Sequence, residues 1–293
     1  DDDRIDWLRV LPFFGLHLAC LGVIWVGVSH TAVVVAVALY ALRMFAITAF
    51  YHRYFSHRTF SASRPMQFLF ALLGASAGQR GPLWWASQHR HHHAHADDAH
   101  DAHSPRHHGF LHAHLGWFLT RASFRTRTEL VADWMRYPEL RFLDRFDALV
   151  PLVLAASLFG VGEMLAAFAP ELGTHGMQLV VWGFAVSTVV LYHATFTVNS
   201  LAHTVGTRRY ATRDDSRNNA WLALLTFGEG WHNNHHHYPG SARQGFYWWE
   251  IDLTYYGLRA MAALGLVSNL KPVPAAMREA RRIDSPKHRG TTP

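Results

Sequence analysis

Histidine is the residue this sequence uses most unusually: there are 23 in 293 residues, eleven of them between His89 and His114. Three clusters have spacings that could do chemistry. HRYFSH supplies His52 and His57, HRHHH supplies His89, His92 and His93, and HNNHH supplies His232, His235 and His236. Positions i, i+3 and i+4 lie on one face of a helix, so the second and third clusters can each turn three imidazoles towards a metal. The i, i+5 spacing of the first cluster rotates its second histidine by more than a third of a turn. His57 therefore needs a helix end or a different metal. Neutral imidazole suits iron, copper, zinc and nickel. Eight imidazoles are too many for one ion of four to six ligands and point to two ions. Cys20 is the only cysteine, which excludes disulfide frameworks, thiolate zinc sites and cysteine-held iron–sulfur clusters.

The rest of the chain explains where such clusters would sit. Half the residues are apolar and only 16% are charged, against about a quarter in soluble domains. Four apolar segments run over about 10–29, 32–51, 149–168 and 178–198. Each is long enough to cross a hydrocarbon core of about 30 Å as a helix of about 20 residues; buried core helices of a soluble protein would be shorter. The breaks Ser29–Thr31 and APELGTHG are short, so the spans are expected in two antiparallel hairpins. Neither break carries a lysine or arginine, whereas 12 arginines lie between His52 and Asp147 and 12 Lys+Arg follow Asn199. The positive-inside rule then places both large polar segments and both termini in the cytoplasm. The +6 formal charge flanks the spans, which suits a membrane surface or an acidic headgroup and not a nucleic acid.

The expected architecture is one all-α integral membrane domain over residues 1–293. A cytoplasmic helical cap, 52–147 and 199–270, carries the histidine site, and a polar, loosely ordered tail covers 271–293. Met66–Gly78 and Ala220–Phe227 are too short to span and read as cap or interfacial helices. The stretch FYWWEIDLTYYGLRAMAALGLV reads as an amphipathic helix along the membrane boundary, where Trp and Tyr concentrate. DDDRIDW lacks the basic n-region of a signal peptide.

Taken together, HRYFSHR, HRHHH and GEGWHNNHH resemble the three histidine boxes of membrane fatty acid desaturases of the acyl-CoA (stearoyl-CoA) Δ9 group. The likeness extends from about Leu39 to Val273, and NSLAHTVGTRRY is similar to the bacterial members. The resemblance implies the same four-span topology, in a bacterial inner membrane, with the active site on the cytoplasmic side. It also implies two iron ions, O2 as co-substrate and an external electron donor. Carried over residue by residue, it makes His203 of NSLAH a ninth ligand beside His52, His57, His89, His92, His93, His232, His235 and His236. Asn199 would reach a metal through a water. His91 and His237 fall on non-ligand positions, and the choice between the neighbours His236 and His237 stays open.

The implied reaction is O2-dependent introduction of a cis double bond, at Δ9, into a long-chain acyl chain carried as acyl-CoA or acyl lipid. The longer N-terminal regions and fused cytochrome b5 domains of some relatives are not found in these residues. Electrons are therefore expected from a separate protein of ferredoxin, rubredoxin or cytochrome b5 type.

Ligand histidines need carboxylates on their remote ring nitrogens, and Glu229, Asp97 and Asp215 are the candidates nearest in sequence. Trp84 and Trp85 are expected to line the acyl tunnel. The resemblance places the tunnel's plug on the second span at Tyr40 and Ala36. Arg121 and Arg106 are the candidates for the acidic headgroup. His17, His30, His175, His193 and His288 read as solvated or satisfied core residues. His100, His103, His107, His108, His112 and His114 have no assigned role beyond adventitious metal. Two other functions compete: a related di-iron hydroxylase or ketolase on lipid or hydrocarbon, and a non-catalytic metal carrier. A transporter would place its ligands near the bilayer midplane, whereas these clusters lie outside the apolar runs.

Overall fold

A computed structural model describes residues 4–283; His288 and the last part of the polar tail lie outside the described residues. The described chain is helical, with isolated β-bridges and no strand. Four helices are long and apolar enough to cross a membrane: Trp7–Val26, His30–Ser56, Leu149–Phe168 and Gly176–His203.

The second and fourth are longer than the apolar runs alone suggest, at 27 and 28 residues. At 1.5 Å per residue each reaches about 40 Å, which exceeds a hydrocarbon core of about 30 Å. Each thus continues as helix past the end of its apolar run, and those extensions carry His52 on one and Asn199 and His203 on the other. The sequence reading ended these spans at 51 and 198; the ligand-bearing segments prolong the same two rods.

The fourth span lies at the centre. The first, second and third all pack on it. Its window is half buried, as is nearly that of the second (50% and 44%), whereas the first and third are 6% and 11% buried. The outer two present Leu8, Leu18, Ile24, Leu152, Met164 and Phe168 outwards, as expected where lipid is the solvent. Small residues set the close approaches. A Cβ on Gly162 of the third span would lie 2.6 Å from the Gly176 backbone at the start of the fourth. Association between membrane helices depends on such close backbone packing. Gly162→Leu should therefore destabilise the protein by ~1–3 kcal/mol through overpacking, read as a lower melting midpoint in detergent. An unchanged midpoint would contradict this contact.

The turn after the first span uses Gly27 at φ +67°, a conformation glycine adopts without steric cost. Ser29 then caps the second span, its Oγ accepting from Ala32 N–H at 3.1 Å. Over the remaining segments, Arg64–Ala75, Pro82–His95, Ala220–Leu225 and His232–His237 are helices. The first and third of these match the two short apolar runs within a few residues. Two expectations need correction. Only Leu253–Ala263 of the aromatic-rich stretch is helical; the part before it is irregular and exposes Trp248 and Trp249. The start of the tail is ordered, not loose. It forms a short helix, Ala275–Glu279, held by Tyr210 Oη donating to Arg278 O at 2.9 Å and by His237 Nε2 donating to Met277 O at 2.7 Å.

Candidate metal centre

The second span changes register where the chemistry begins. Ala46–Ser56 is π-helical, and His57 N–H donates to His52 O at 3.2 Å. An i→i+5 hydrogen bond brings residue i+5 back over residue i. The α-helical problem posed by the i, i+5 spacing is thereby removed: His52 and His57 face the same point, their ring centroids 4.9 Å apart.

Nine imidazoles gather in two groups. His52, His57, His89, His93 and His235 form one, and His92, His203, His232 and His236 form the other; within each, the ligand atoms lie within 4.8 Å of one another. These are the nine residues the sequence singled out, but the division among them differs from the expectation. Three imidazoles of one helical face do not share one metal position. In each of the second and third boxes the i, i+4 pair enters one group and the remaining histidine enters the other. His89 and His93 part from His92, and His232 and His236 part from His235. Both boxes therefore tie the two groups together. His237 belongs to neither group, its ring stacking on Tyr210 at 4.0 Å, and His236 is the one of the two neighbours that joins the imidazoles.

Four carboxylates hold the remote nitrogens. Glu229 pairs with His52 Nδ1, Asp101 with His92 Nδ1 at 3.0 Å, Asp97 with His203 Nδ1 at 2.7 Å, and Asp214 with His236 Nδ1 at 3.0 Å. Glu229 and Asp97 were anticipated. Asp215 was not correctly placed: its side chain turns to Arg106 and Arg208 at 3.8 and 3.9 Å, and only its backbone N–H reaches the centre, through Asp97 Oδ2 at 2.8 Å. Its neighbour Asp214 does the work assigned to it. Asp101 was missed among the acids and histidines that follow the second box. Arg53, fully buried, fixes Glu229 from behind at 3.2 Å and also pairs with Asp252 at 3.0 Å.

This arrangement fits metal ions. A carboxylate at Nδ1 makes that nitrogen the N–H and leaves Nε2 a bare lone pair. Yet His92 Nε2 faces His236 Nε2 at 3.3 Å, and both have carboxylates at Nδ1. Similar contacts join His52 to His235 at 3.0 Å, His235 to His93 at 2.9 Å, His57 to His89 at 2.8 Å and His203 to His232 at 3.0 Å. Between His92 and His236 the two lone pairs repel at such range unless a cation lies between them; the other four contacts can be N–H···N hydrogen bonds, one ring carrying its proton on Nε2. Neighbouring ligands at about 2.1 Å from one ion are separated by about this distance.

Burial, and then the surrounding imidazoles, hold His57, His89, His93, His232 and His235 well below the ordinary imidazole range. Burial also brings His236 down to about 4 against the pull of Asp214. These residues are thus neutral, the form that binds metals. Burial raises Asp97, Asp101, Asp214 and Glu229, but their histidine partners outweigh it and leave each below the usual carboxylate range.

A cavity of about 60 Å³ opens beside the imidazoles, with His52, His89, His92, His232, Asn199, Trp85, Met44, Ile47 and Thr48 among its wall residues. Trp85 lies over His89 with ring centroids 5.2 Å apart. Trp84 points away: its indole donates to Ser123 O at 2.7 Å and stacks on Trp117. Tyr40 and Ala36 are not on these walls; Tyr40 Oη donates to Leu225 O at 2.7 Å, and Ala36 is buried in the helix packing. Arg106 pairs with Asp215, Arg121 is exposed beside the N-terminal segment, and neither lines the cavity. His17, His193 and His114 satisfy one another, His193 bonding His17 and His114 at 3.1 Å each. His103 is buried against His92 with centroids 4.3 Å apart.

Four helices of membrane-crossing length and two groups of converging imidazoles fit a membrane protein with a metal-binding centre. Residues 29–268 match the fatty acid desaturase family model, and the chain belongs to that family. It is 39% identical over 209 residues, 70% of its length, to a chloroplast palmitoyl-monogalactosyldiacylglycerol delta-7 desaturase of Arabidopsis thaliana. It is 38% identical over 224 residues (75%) to an icosanoyl-CoA 5-desaturase of Limnanthes douglasii, and 36% identical over 271 residues (92%) to an sn-1 stearoyl-lipid 9-desaturase of Anabaena variabilis. The match spans about half the length of the first (53%), 59% of the second and 94% of the third.

Proposed function

We propose that the chain is an O2-dependent di-iron desaturase that introduces a cis double bond, at Δ9, into a long-chain fatty acyl chain carried as acyl-CoA or acyl lipid. The observation that carries this reading is the pair of imidazole groups, the ligand atoms of each within 4.8 Å of one another, with carboxylates behind four of the nine rings. His52, His57, His89, His93 and His235 would hold one iron, and His92, His203, His232 and His236 the other. The cavity wall formed by Asn199 has space for a bridging water, whose share of liquid volume is about 30 Å³. The two irons, when bound and reduced, supply the O2 chemistry needed to remove hydrogens from unactivated methylenes.

The chain's own residues do the positioning. Glu229, Asp97, Asp101 and Asp214 fix the tautomer and direction of four imidazoles. Trp85, Met44 and Ile47 give the reacting methylenes an apolar wall and exclude bulk water. The arginine-rich segments support a position of the centre at the cytoplasmic membrane surface, where a separate electron carrier could reach it. The Anabaena relative, matched along nearly all of this chain, is named for stearoyl-lipid 9-desaturation, which supports the Δ9 position and admits an acyl-lipid carrier.

The test is expression in a host unable to make unsaturated fatty acids, followed by mapping of double bonds in each lipid class. Rescued growth with Δ9-monounsaturated chains is expected. A bond at Δ5 or Δ7 would remove the positional claim, and no unsaturated chain in a host expressing the folded protein would remove the desaturase claim.

A further inference from the structure

A second, larger cavity lies apart from the imidazoles. It measures about 460 Å³, within the range of small-molecule sites, and shares no wall residue with the metal centre. Its walls include Tyr54, Arg58, Arg64, Gln67, Trp134 and Lys271.

Three features make it a built site. First, Gln67 is 3% exposed, and its Nε2 has no hydrogen-bond partner, although its Oε1 accepts from Tyr54 Oη at 3.3 Å. A buried amide donor without an acceptor is costly, and this one belongs to a cavity wall. Second, the cations outnumber the acids. Arg64 pairs with Glu139 at 2.8 Å, but Asp133 is divided between Arg58 at 3.2 Å and Arg90 at 2.8 Å. Lys271 has no acidic partner among the described residues, yet its backbone is fixed on both sides. Its N–H donates to Thr59 O, and its carbonyl accepts from Ala242 N–H, each at 2.9 Å. Third, the Arg58 guanidinium lies over Trp134 at 5.1 Å and that of Arg64 over Tyr137 at 5.4 Å. Stacking of this kind orients the planar fork; Arg64 gives its Nε and Nη2 to Glu139, whereas Arg58 gives only Nη1 to Asp133 and keeps its other N–H groups for an oxyanion.

We propose that this cavity binds a phosphate group, with Gln67 Nε2 as the inner donor and Lys271 and Arg58 as the surrounding cations. A free phosphate and the headgroup of a phospholipid share this chemistry. The site takes no part in holding metal and stands whether or not the desaturase reading does.

The test uses the full metal-loaded chain in neutral detergent. Inorganic phosphate is titrated by calorimetry, and phosphatidic acid is titrated in parallel and counted by native mass spectrometry. Saturable binding of one molecule per chain is expected. Lys271→Gln, at an exposed side chain, and Gln67→Glu, close in shape but negatively charged, should each weaken it about tenfold, the scale of one charge-assisted contact. Binding of inorganic phosphate identifies a soluble ligand; binding of phosphatidic acid alone identifies a lipid headgroup. Absence of saturable binding by both, or binding to Lys271→Gln within twofold of wild type, overturns the proposal.

Discussion

His235→Ala should abolish the unsaturated product, with a loss greater than about 100-fold, the upper range for disturbing only the groups behind a metal ligand. The expectation rests on where Nε2 of His235 lies: 3.0 Å from that of His52 and 2.9 Å from that of His93. It is the third-box residue that enters the five-membered group, so its removal opens a gap among ligands drawn from all three boxes. The variant also loses the ring beside Gln244, whose Nε2 lies 3.5 Å from His235 Nδ1 and donates to Glu229 Oε2 at 3.0 Å. Lipid analysis by mass spectrometry reads the product, and metal analysis of the purified variant should show fewer ions per chain than wild type. Full product with full metal content would refute the assignment of His235.

The second large effect separates two adjacent acids. Asp214→Asn should lower activity or metal affinity by about 10–100-fold, because Asp214 Oδ2 receives the His236 Nδ1 proton at 3.0 Å in a buried setting. Asn can present N–H to the same nitrogen and so favour the wrong tautomer, turning an N–H instead of a lone pair towards the metal. Asp215→Asn should stay within about twofold, the range of ordinary surface substitutions, because its carboxylate meets only Arg106 and Arg208 near 4 Å and its structural contact is made by the backbone. Side-by-side assays of the two variants at equal protein levels decide the matter; equal losses would contradict the geometry.

These two adjacent acids also mark how far the sequence could be read. Eight of the nine imidazoles were legible from the density and spacing of their histidines, whereas His203 was reached only through the family resemblance of NSLAH. The spans were legible from length and apolarity, while their true ends were not. His52 and His203 lie on helical extensions that leave the apolar run, and hydropathy stops where the polar ligands begin. The π-register of Ala46–Ser56 left no mark that spacing rules interpret, except the i, i+5 interval that looked unfavourable. The division of the second and third boxes between two groups depends on how separate elements converge in the fold, so one helix's face could not reveal it. Asp101 and Asp214 illustrate the same limit. Nearness in sequence pointed equally to Asp215, and only the tertiary fold decides which carboxylate turns inward. Trp84 and Trp85 repeat the lesson, since adjacent residues on a helix face different neighbours.

The central claim is that the nine-imidazole centre removes hydrogen from an acyl chain. The most direct measurement supplies the purified protein with iron(II), a reductant system, O2 and a long-chain acyl substrate, and weighs the product by mass spectrometry. The account predicts an acyl chain lighter by two hydrogens, formed only with both iron and O2 present. An acyl chain heavier by one oxygen would make the protein a hydroxylase. An unchanged substrate, with the iron-loaded protein consuming no O2, would contradict the account altogether.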